Sequence, residues 1–288
     1  AMDCAKAILL FYEFPYLNFE NVLEFNKKGE IPTERKTGLI CVPSTSGTGS
    51  EVTRGTVITD PEKELKVPIM TDCLRPDLAI LDPEITMTMP DHVAAETGMD
   101  ALTHAIEAYT NHNLDDFDEG LCSSAIIGIM KWLPVSVLDK TLEAREKVHN
   151  YQAMAGIGFA NVGLGMVHGI AHSFGAAYNM AHGLTNAIIL PYVLRYNSRD
   201  AVVREKLAEL SYRCHCDDII TEIEKMREKL GIPASFREAG ITEEMYREKY
   251  DLLLEHAMLG ATNVNPVKMT IEEMKKMLNV VYTGNWEI

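Results

Sequence analysis

Apolar residues recur along this chain in two rhythms, and the change falls near residue 83. Before it, short apolar runs alternate with turn residues. Residues 1–12 have helix-like spacing, and Gly38-Leu-Ile-Cys-Val42 is a buried-strand run halted by Pro43 and a Ser/Thr/Gly loop. Residues 53–59 and 65–71, on either side of Asp60-Pro-Glu-Lys-Glu64, predict a hairpin. Leu78-Ala-Ile-Leu81 predicts one more strand, stopped by Asp82-Pro83. From Glu84 onward the spacing turns helical. It predicts helices over 91–110, 118–137, 141–158, 160–178, 183–195, 200–212, 217–230, 243–257 and 270–281, with Pro233 and Pro266 punctuating the last third. The expected organisation is an α/β segment over 1–83, too poor in strands to be a complete α/β domain, followed by an all-α domain over 84–288.

One stretch stands apart. From Val148 to Leu194 the chain carries no Asp, Glu, Lys or Arg, against a charged fraction of 24% overall. A membrane span is the first explanation to test. It fails because His168, His172, His182, Asn161, Asn179 and Asn186 would be costly in lipid and no basic flank marks an orientation. A pair of helices buried on all sides fits better, with the glycines of this stretch letting backbones or a ligand approach closely. Net charge of −15 has the wrong sign for a nucleic-acid or anionic-membrane partner. Six cysteines without a regular framework, and no signal-peptide pattern at the start, lead to the expectation of a cytoplasmic protein.

The candidate chemistry lies in that uncharged stretch and just before it. Asp100 and His104 are four apart in a predicted helix, so they share a face. His168 and His172 repeat the spacing, and His182 follows a predicted turn at Tyr178-Asn179 that can fold it back to the same point. Imidazoles with a carboxylate make an oxygen/nitrogen set suited to Fe²⁺, Zn²⁺ or a similar divalent transition metal. A lone buried histidine is more often a hydrogen-bonded core residue. Four of them with an aspartate in uncharged surroundings are harder to explain by packing, since each needs its own partner. The loop Pro43-Ser-Thr-Ser-Gly-Thr-Gly-Ser-Glu51, directly after a strand, can offer N–H groups and hydroxyls to a phosphate or polar cofactor, a weaker signal that matches neither GxGxxG nor a Walker loop. Cys214-His215-Cys216 has the wrong spacing for a zinc knuckle and reads as a surface helix end, and the 15 methionines read as core filler.

Together these motifs resemble the iron-containing (group III) alcohol dehydrogenases, of the dehydroquinate synthase-like fold. Asp100-Ala-Leu-Thr-His104 is similar to the family's first ligand pair. Gly158-Phe-Ala-Asn-Val-Gly-Leu-Gly-Met-Val-His168-Gly-Ile-Ala-His172 and Ala181-His182-Gly-Leu-Thr-Asn-Ala-Ile-Ile-Leu-Pro191 are similar to its second signature. The resemblance implies metal ligands at Asp100, His104, His168 and His182. It implies proton relay and nicotinamide contact at His172. Cofactor contacts would come from Ser44, Thr45, Gly47, Thr48 and Ser50 in the loop and from Lys66 in the hairpin, with Phe159 and Asn161 lining the pocket. Within the family the look is nearest to the lactaldehyde reductases (1,2-propanediol oxidoreductases), with butanol and 1,3-propanediol dehydrogenases near. Family members open with a Rossmann-like domain whose phosphate loop precedes an Ala-Met-Asp-x-Ala-Lys helix, whereas this chain starts at Ala1-Met-Asp-Cys-Ala-Lys6. The resemblance therefore implies an N-terminally truncated chain, with 1–83 a remnant of the dinucleotide-binding domain and 84–288 the helical metal-binding domain.

The implied activity is metal-dependent, NAD- or NADP-linked interconversion of a small primary alcohol or diol with its aldehyde, possible impairment by truncation included. The ion would act as a Lewis acid on the substrate oxygen and His172 would carry the alcohol proton toward solvent. A homo-oligomer, in the simplest case a dimer, is expected. The rivals are a glycerol dehydrogenase-like or dehydroquinate synthase-like enzyme, and an inactive metal-binding helical module.

Overall fold

The computed structural model describes residues 1–60 and 65–286, without the side chains of residues 59–60 and 65–67. The front segment is built on two small sheets. Helix α1 (Met2–Glu13) packs on the antiparallel pair β2 (Gly55–Asp60) and β3 (Leu65–Met70), in which Gly55 lies opposite Met70 and Asp60 opposite Leu65. A short helix α2 (Val22–Lys28) precedes β1 (Ile40–Cys41), which pairs in parallel with β4 (Leu78–Ala79). An apolar cluster of Leu10, Leu17, Val22, Ile31, Ile69, Cys73 and Leu74 holds this part together. Lys6 is buried with it, its Nζ donating to the carbonyls of Thr53 (2.7 Å) and Gly55 (3.0 Å). The hairpin is where the sequence predicts it, though its turn, 61–64, lies outside the described residues.

The strands at 38–42 and 78–81 shrink to two residues each. They pair only with one another among the described residues, and Ile40, Val42, Leu78 and Ile80 are exposed. Ladder hydrogen bonds run as far as a partner strand reaches, so an apolar run without further neighbours forms little strand. Helix α2 escapes the periodicity because only Val22 of its seven residues is buried.

The remainder is helical: α3 (Pro83–Thr86), α4 (Asp91–Thr110), α5 (Asp116–Leu138), α6 (Leu142–Val162), α7 (Met166–Tyr178), α8 (His182–Asn197), α9 (Ala201–Arg213), α10 (Ile219–Lys229), α11 (Glu243–Ala257) and α12 (Ile271–Thr283). Asp115, Thr141, Asp200, Asp218, Thr242 and Thr270 each accept an N–H of the first turn that follows. One continuous core runs from Met89 to Tyr282 and includes the whole inner faces of α4, α7 and α8.

Two corrections concern the uncharged stretch. It holds three helices, the end of α6 with α7 and α8. The helix expected over 160–178 is broken, because α6 runs on to Val162 and ends at Gly163 (φ +101°), and α7 starts after Gly165, bent 104° from α6. The Asn179 turn is in place, in the left-handed region at φ +51°. Among the described residues α5 is the single helix long and apolar enough to cross a membrane, and the bent pair of α6 and α7 passes the same test only if taken together. Half of the apolar window of α5 is buried against the rest of the fold, chiefly α4 and α6. Cys214-His215-Cys216 forms the turn after α9, as the sequence suggests.

Candidate metal and catalytic site

Helix α4 places Asp100, His104 and Glu107 on one buried face, one and two turns apart. Helix α7 presents His168 and His172, and His182 is the first residue of α8. The approach of α8 to α4 depends on Gly183: a Cβ there would stand 2.2 Å from the carbonyl oxygen of Glu96. That contact lets the first turn of α8 rest on α4 and brings His182 within reach of Asp100.

The imidazole Nε2 atoms of His104, His168 and His182 lie 3.8, 3.8 and 3.7 Å from a single oxygen, Asp100 Oδ1. Asp100, His104 and His168 form the tight part of this cluster, all buried. His182 is partly exposed and closes its outer side. His104 stacks on His168 with ring centroids 4.7 Å apart. His172 stands beside the cluster, its ring 5.1 Å from that of His182 and 5.9 Å from that of His168. Phe159 stacks flat on His104 at 4.3 Å and walls the site. Asn161, expected beside it, is exposed and donates instead to Asp118 Oδ1 of α5 (3.1 Å).

Electrostatics suit a cation. Burial pushes the His168 imidazolium well below its ordinary range, helped by the neighbouring His104, His182 and His172. Burial also lowers His104, against the pull of the Asp100 carboxylate and the Gly47 backbone. Both imidazoles are therefore neutral near pH 7, as ligation requires. The inward atoms are three imidazole nitrogens and a carboxylate oxygen, an acceptor-rich set that a divalent ion satisfies. Four ligands about 2.1 Å from a tetrahedral ion stand about 3.4 Å apart, close to the observed separations. The residues present thus fit a divalent transition metal. A donor already stands among them: Asn186 Nδ2, 2.6 Å from Asp100 Oδ1 and 3.1 and 3.2 Å from Nε2 of His168 and His182. A cation at these atoms takes over that donor's role.

The loop 43–51 reaches the same site. Ser44 and Thr48 are exposed and Thr45 half-buried, facing outward, whereas Gly47 and Ser50 are buried. Gly47 lies against Thr97 of α4, and Gly49 against Gly156 of α6. The Gly49 N–H donates to Gln152 Oε1 (2.9 Å), and Ser46 Oγ sits 2.8 Å from His149 Nδ1. Lys66 pairs with Thr59 in the hairpin, and its side chain lies outside the described residues.

The family is decided by comparison. Residues 94–282 match the model of the C-terminal part of the Fe-containing alcohol dehydrogenase family, and residues 1–83 match the iron-containing alcohol dehydrogenase model. The chain belongs to the iron-containing alcohol dehydrogenase family. It is 38% identical over 293 residues to an NADPH-dependent butanol dehydrogenase from Clostridium saccharobutylicum, covering 98% of this chain and 74% of that one. Its fold matches the iron-containing alcohol dehydrogenase of Thermococcus thioreducens with a TM-score of 0.89 at 35% identity, over 99% of this chain and 75% of the other. A sulfoacetaldehyde reductase from Bifidobacterium kashiwanohense, solved with NAD⁺, aligns with a TM-score of 0.84 at 26% identity, over 99% and 74%. The iron-containing alcohol dehydrogenases share the dehydroquinate synthase-like architecture expected from the motifs, and the chain is an oxidoreductase of that family.

Two residues of the site carry roles that sequence reasoning did not assign. Glu107 is fully buried, and its Oε2 is 2.6 Å from His168 Nδ1 while its Oε1 accepts the Val167 N–H at 2.7 Å. With no cation beside it, burial pushes its carboxyl up to about 8, against the backbone N–H groups of Val167, Gly165 and His168; a divalent ion at the adjoining ligand atoms draws it back to the ionised carboxylate. Asn186 is the other. Both were marked by spacing: Glu107 is seven residues after Asp100 and Asn186 four after His182, each on its helix's ligand face.

Proposed function

We propose that this chain interconverts small primary alcohols or diols and their aldehydes with NAD or NADP, at a divalent metal centre held by Asp100, His104, His168 and His182. The observation that carries this is the convergence of three imidazole Nε2 atoms on one carboxylate oxygen at 3.7–3.8 Å. The names of relatives add support: one acts as an NADPH-dependent butanol dehydrogenase and another was solved with NAD⁺.

An iron or zinc ion bound to this set supplies Lewis acidity toward a substrate oxygen. Asp100 brings the one carboxylate to the ligand set, and its oxygen lowers the cluster's net charge with a cation present. Phe159 shields His104 and excludes water from that side. His172, half-buried next to the partly exposed His182, stands where it can accept the alcohol proton and pass it outward. Ser44, Thr45, Gly47, Thr48 and Ser50, with Lys66, bind and orient the dinucleotide, the backbone of Gly47 lying next to His104 so that cofactor and metal sites adjoin. Residues 1–83 serve as part of the cofactor domain and 84–288 as the metal-binding domain, a reading supported by two separate apolar clusters. The protein works in the cytoplasm as a homo-oligomer, a dimer in the simplest case, the exposed Ile40, Val42, Leu78 and Ile80 favouring association.

Elemental analysis after loading with Fe²⁺ or Zn²⁺ tests the centre. About one ion per chain is expected, with Asp100→Ala and His182→Ala losing metal and melting temperature together. Unchanged metal content in both variants refutes the site. Formation of reduced nicotinamide from 1-butanol or 1,2-propanediol, followed in the near ultraviolet, tests the reaction.

A further inference from the structure

We propose that Glu107 is the positioning residue that holds His168 in its metal-ligating tautomer and at the same time caps α7. This rests on the metal centre proposed above. An imidazole ligates through one nitrogen's lone pair while the other nitrogen keeps its hydrogen. The nitrogen of His168 that faces Asp100 is Nε2, so the ligating form carries its hydrogen on Nδ1. Glu107 Oε2 stands 2.6 Å from that Nδ1 and accepts the hydrogen. A carboxylate–imidazole–metal relay of this kind fixes ring orientation and raises ligand basicity.

The other oxygen anchors the carboxylate. Glu107 Oε1 accepts the N–H of Val167, in the first turn of α7, whose N-cap is the side-chain-less Gly165. Asn265 Oδ1 accepts the neighbouring N–H of Met166 at 3.1 Å. Two residues remote in sequence therefore cap α7, and only one of them touches His168. Gly165 makes room for the arrangement, since a Cβ there would lie 2.9 Å from Glu107 Oε1.

The two hydrogen bonds demand two acceptors on one side chain, which only a carboxylate offers. In Glu107→Gln the amide has one oxygen. Turned to His168, it aims its NH₂ at the Val167 N–H, donor against donor. Turned to Val167, it aims the NH₂ at Nδ1 and drives the hydrogen of His168 onto Nε2, where it blocks ligation. Glu107→Gln changes neither size nor shape and so separates hydrogen bonding from packing.

Co²⁺ is the probe, because its visible ligand-field bands report the ligand set independently of turnover. Wild-type chain should bind Co²⁺ with bands of a low-coordinate nitrogen/oxygen site. Glu107→Gln should bind about 10- to 100-fold more weakly with altered bands, while its far-ultraviolet circular dichroism stays native. Asn265→Ala should lower the melting temperature yet keep Co²⁺ affinity and spectrum, because it removes a cap of α7 without touching His168. Equal affinity and identical bands in Glu107→Gln and wild type overturn the role, as does a loss of affinity in Asn265→Ala as large as that in Glu107→Gln. No Co²⁺ binding by the wild-type chain removes the metal centre itself, and this inference with it. If Glu107→Gln does not fold, nitrogen-15 histidine spectra of Zn²⁺-loaded wild-type chain decide: His168 should show a protected Nδ1–H, and an Nε2–H form refutes the proposal.

Discussion

Gly49→Ala puts the docking of the 43–51 loop onto α6 to a quantitative test. Gly49 has φ +60°, and a Cβ built there would stand 2.7 Å from Gly156 Cα and 3.5 Å from the Gln152 carbonyl oxygen. The left-handed backbone alone costs an alanine about 1–2 kcal/mol. The contact is with helix backbone, which cannot retreat without disturbing its hydrogen-bond ladder, and overpacking of that kind adds about 1–3 kcal/mol. The expected loss is thus about 2–5 kcal/mol. At roughly 2–4 °C per kcal/mol for a chain near this size, the melting temperature should fall by at least several degrees. Gly231→Ala is the matched control. Gly231 has φ +72° but nothing within 4 Å of its Cβ position, so that variant should show the backbone cost alone, about 1–2 kcal/mol. Thermal unfolding by circular dichroism measures both, and fluorescence titration with NADH should show weaker binding in Gly49→Ala only. A Gly49→Ala chain no less stable than Gly231→Ala refutes the close packing of this loop on Gly156.

Two further outcomes follow from buried or partly buried groups. Burial pulls the Lys6 ammonium from 10.5 down to about 8, against Cys41, Asp3 and Glu51. Between those values the unfolded chain holds more protons than the folded one, so this component adds stability as pH rises from about 8 to 10.5; denaturant titrations should show wild type gaining on Lys6→Met across that window, and a constant difference refutes the buried ammonium. His172→Ala should keep its metal and lose most alcohol oxidation, while metal loss equal to that of His168→Ala would make His172 a ligand.

The helices of the second part were legible because their packing is helix on helix: apolar spacing such as that of 91–110 and 243–257 is a direct imprint of one face turned to the core, and α4 and α11 have those bounds within a residue or so. The candidate ligand set was legible for a related reason. Asp100 and His104, or His168 and His172, share a face by helical period alone, and the missing charges from 148 to 194 announced a buried site. What periodicity could not determine was any relation between segments distant along the chain. The break at Gly163–Gly165 turns α7 by 104° and aims His168, more than His172, at Asp100. Asn161 bonds Asp118 because of how α6 lies on α5. The strands at 40–41 and 78–79 are short because pairing, unlike helical hydrogen bonding, depends on what lies alongside. Glu107 gains its role only when α7 brings Nδ1 of His168 and the N–H of Val167 to its two oxygens. The sequence by itself determined which side chains could bind a metal; the tertiary structure decided which of them meet, since hydrogen bonds and ligand contacts act over about 3 Å and only folding brings residues sixty positions apart to that range.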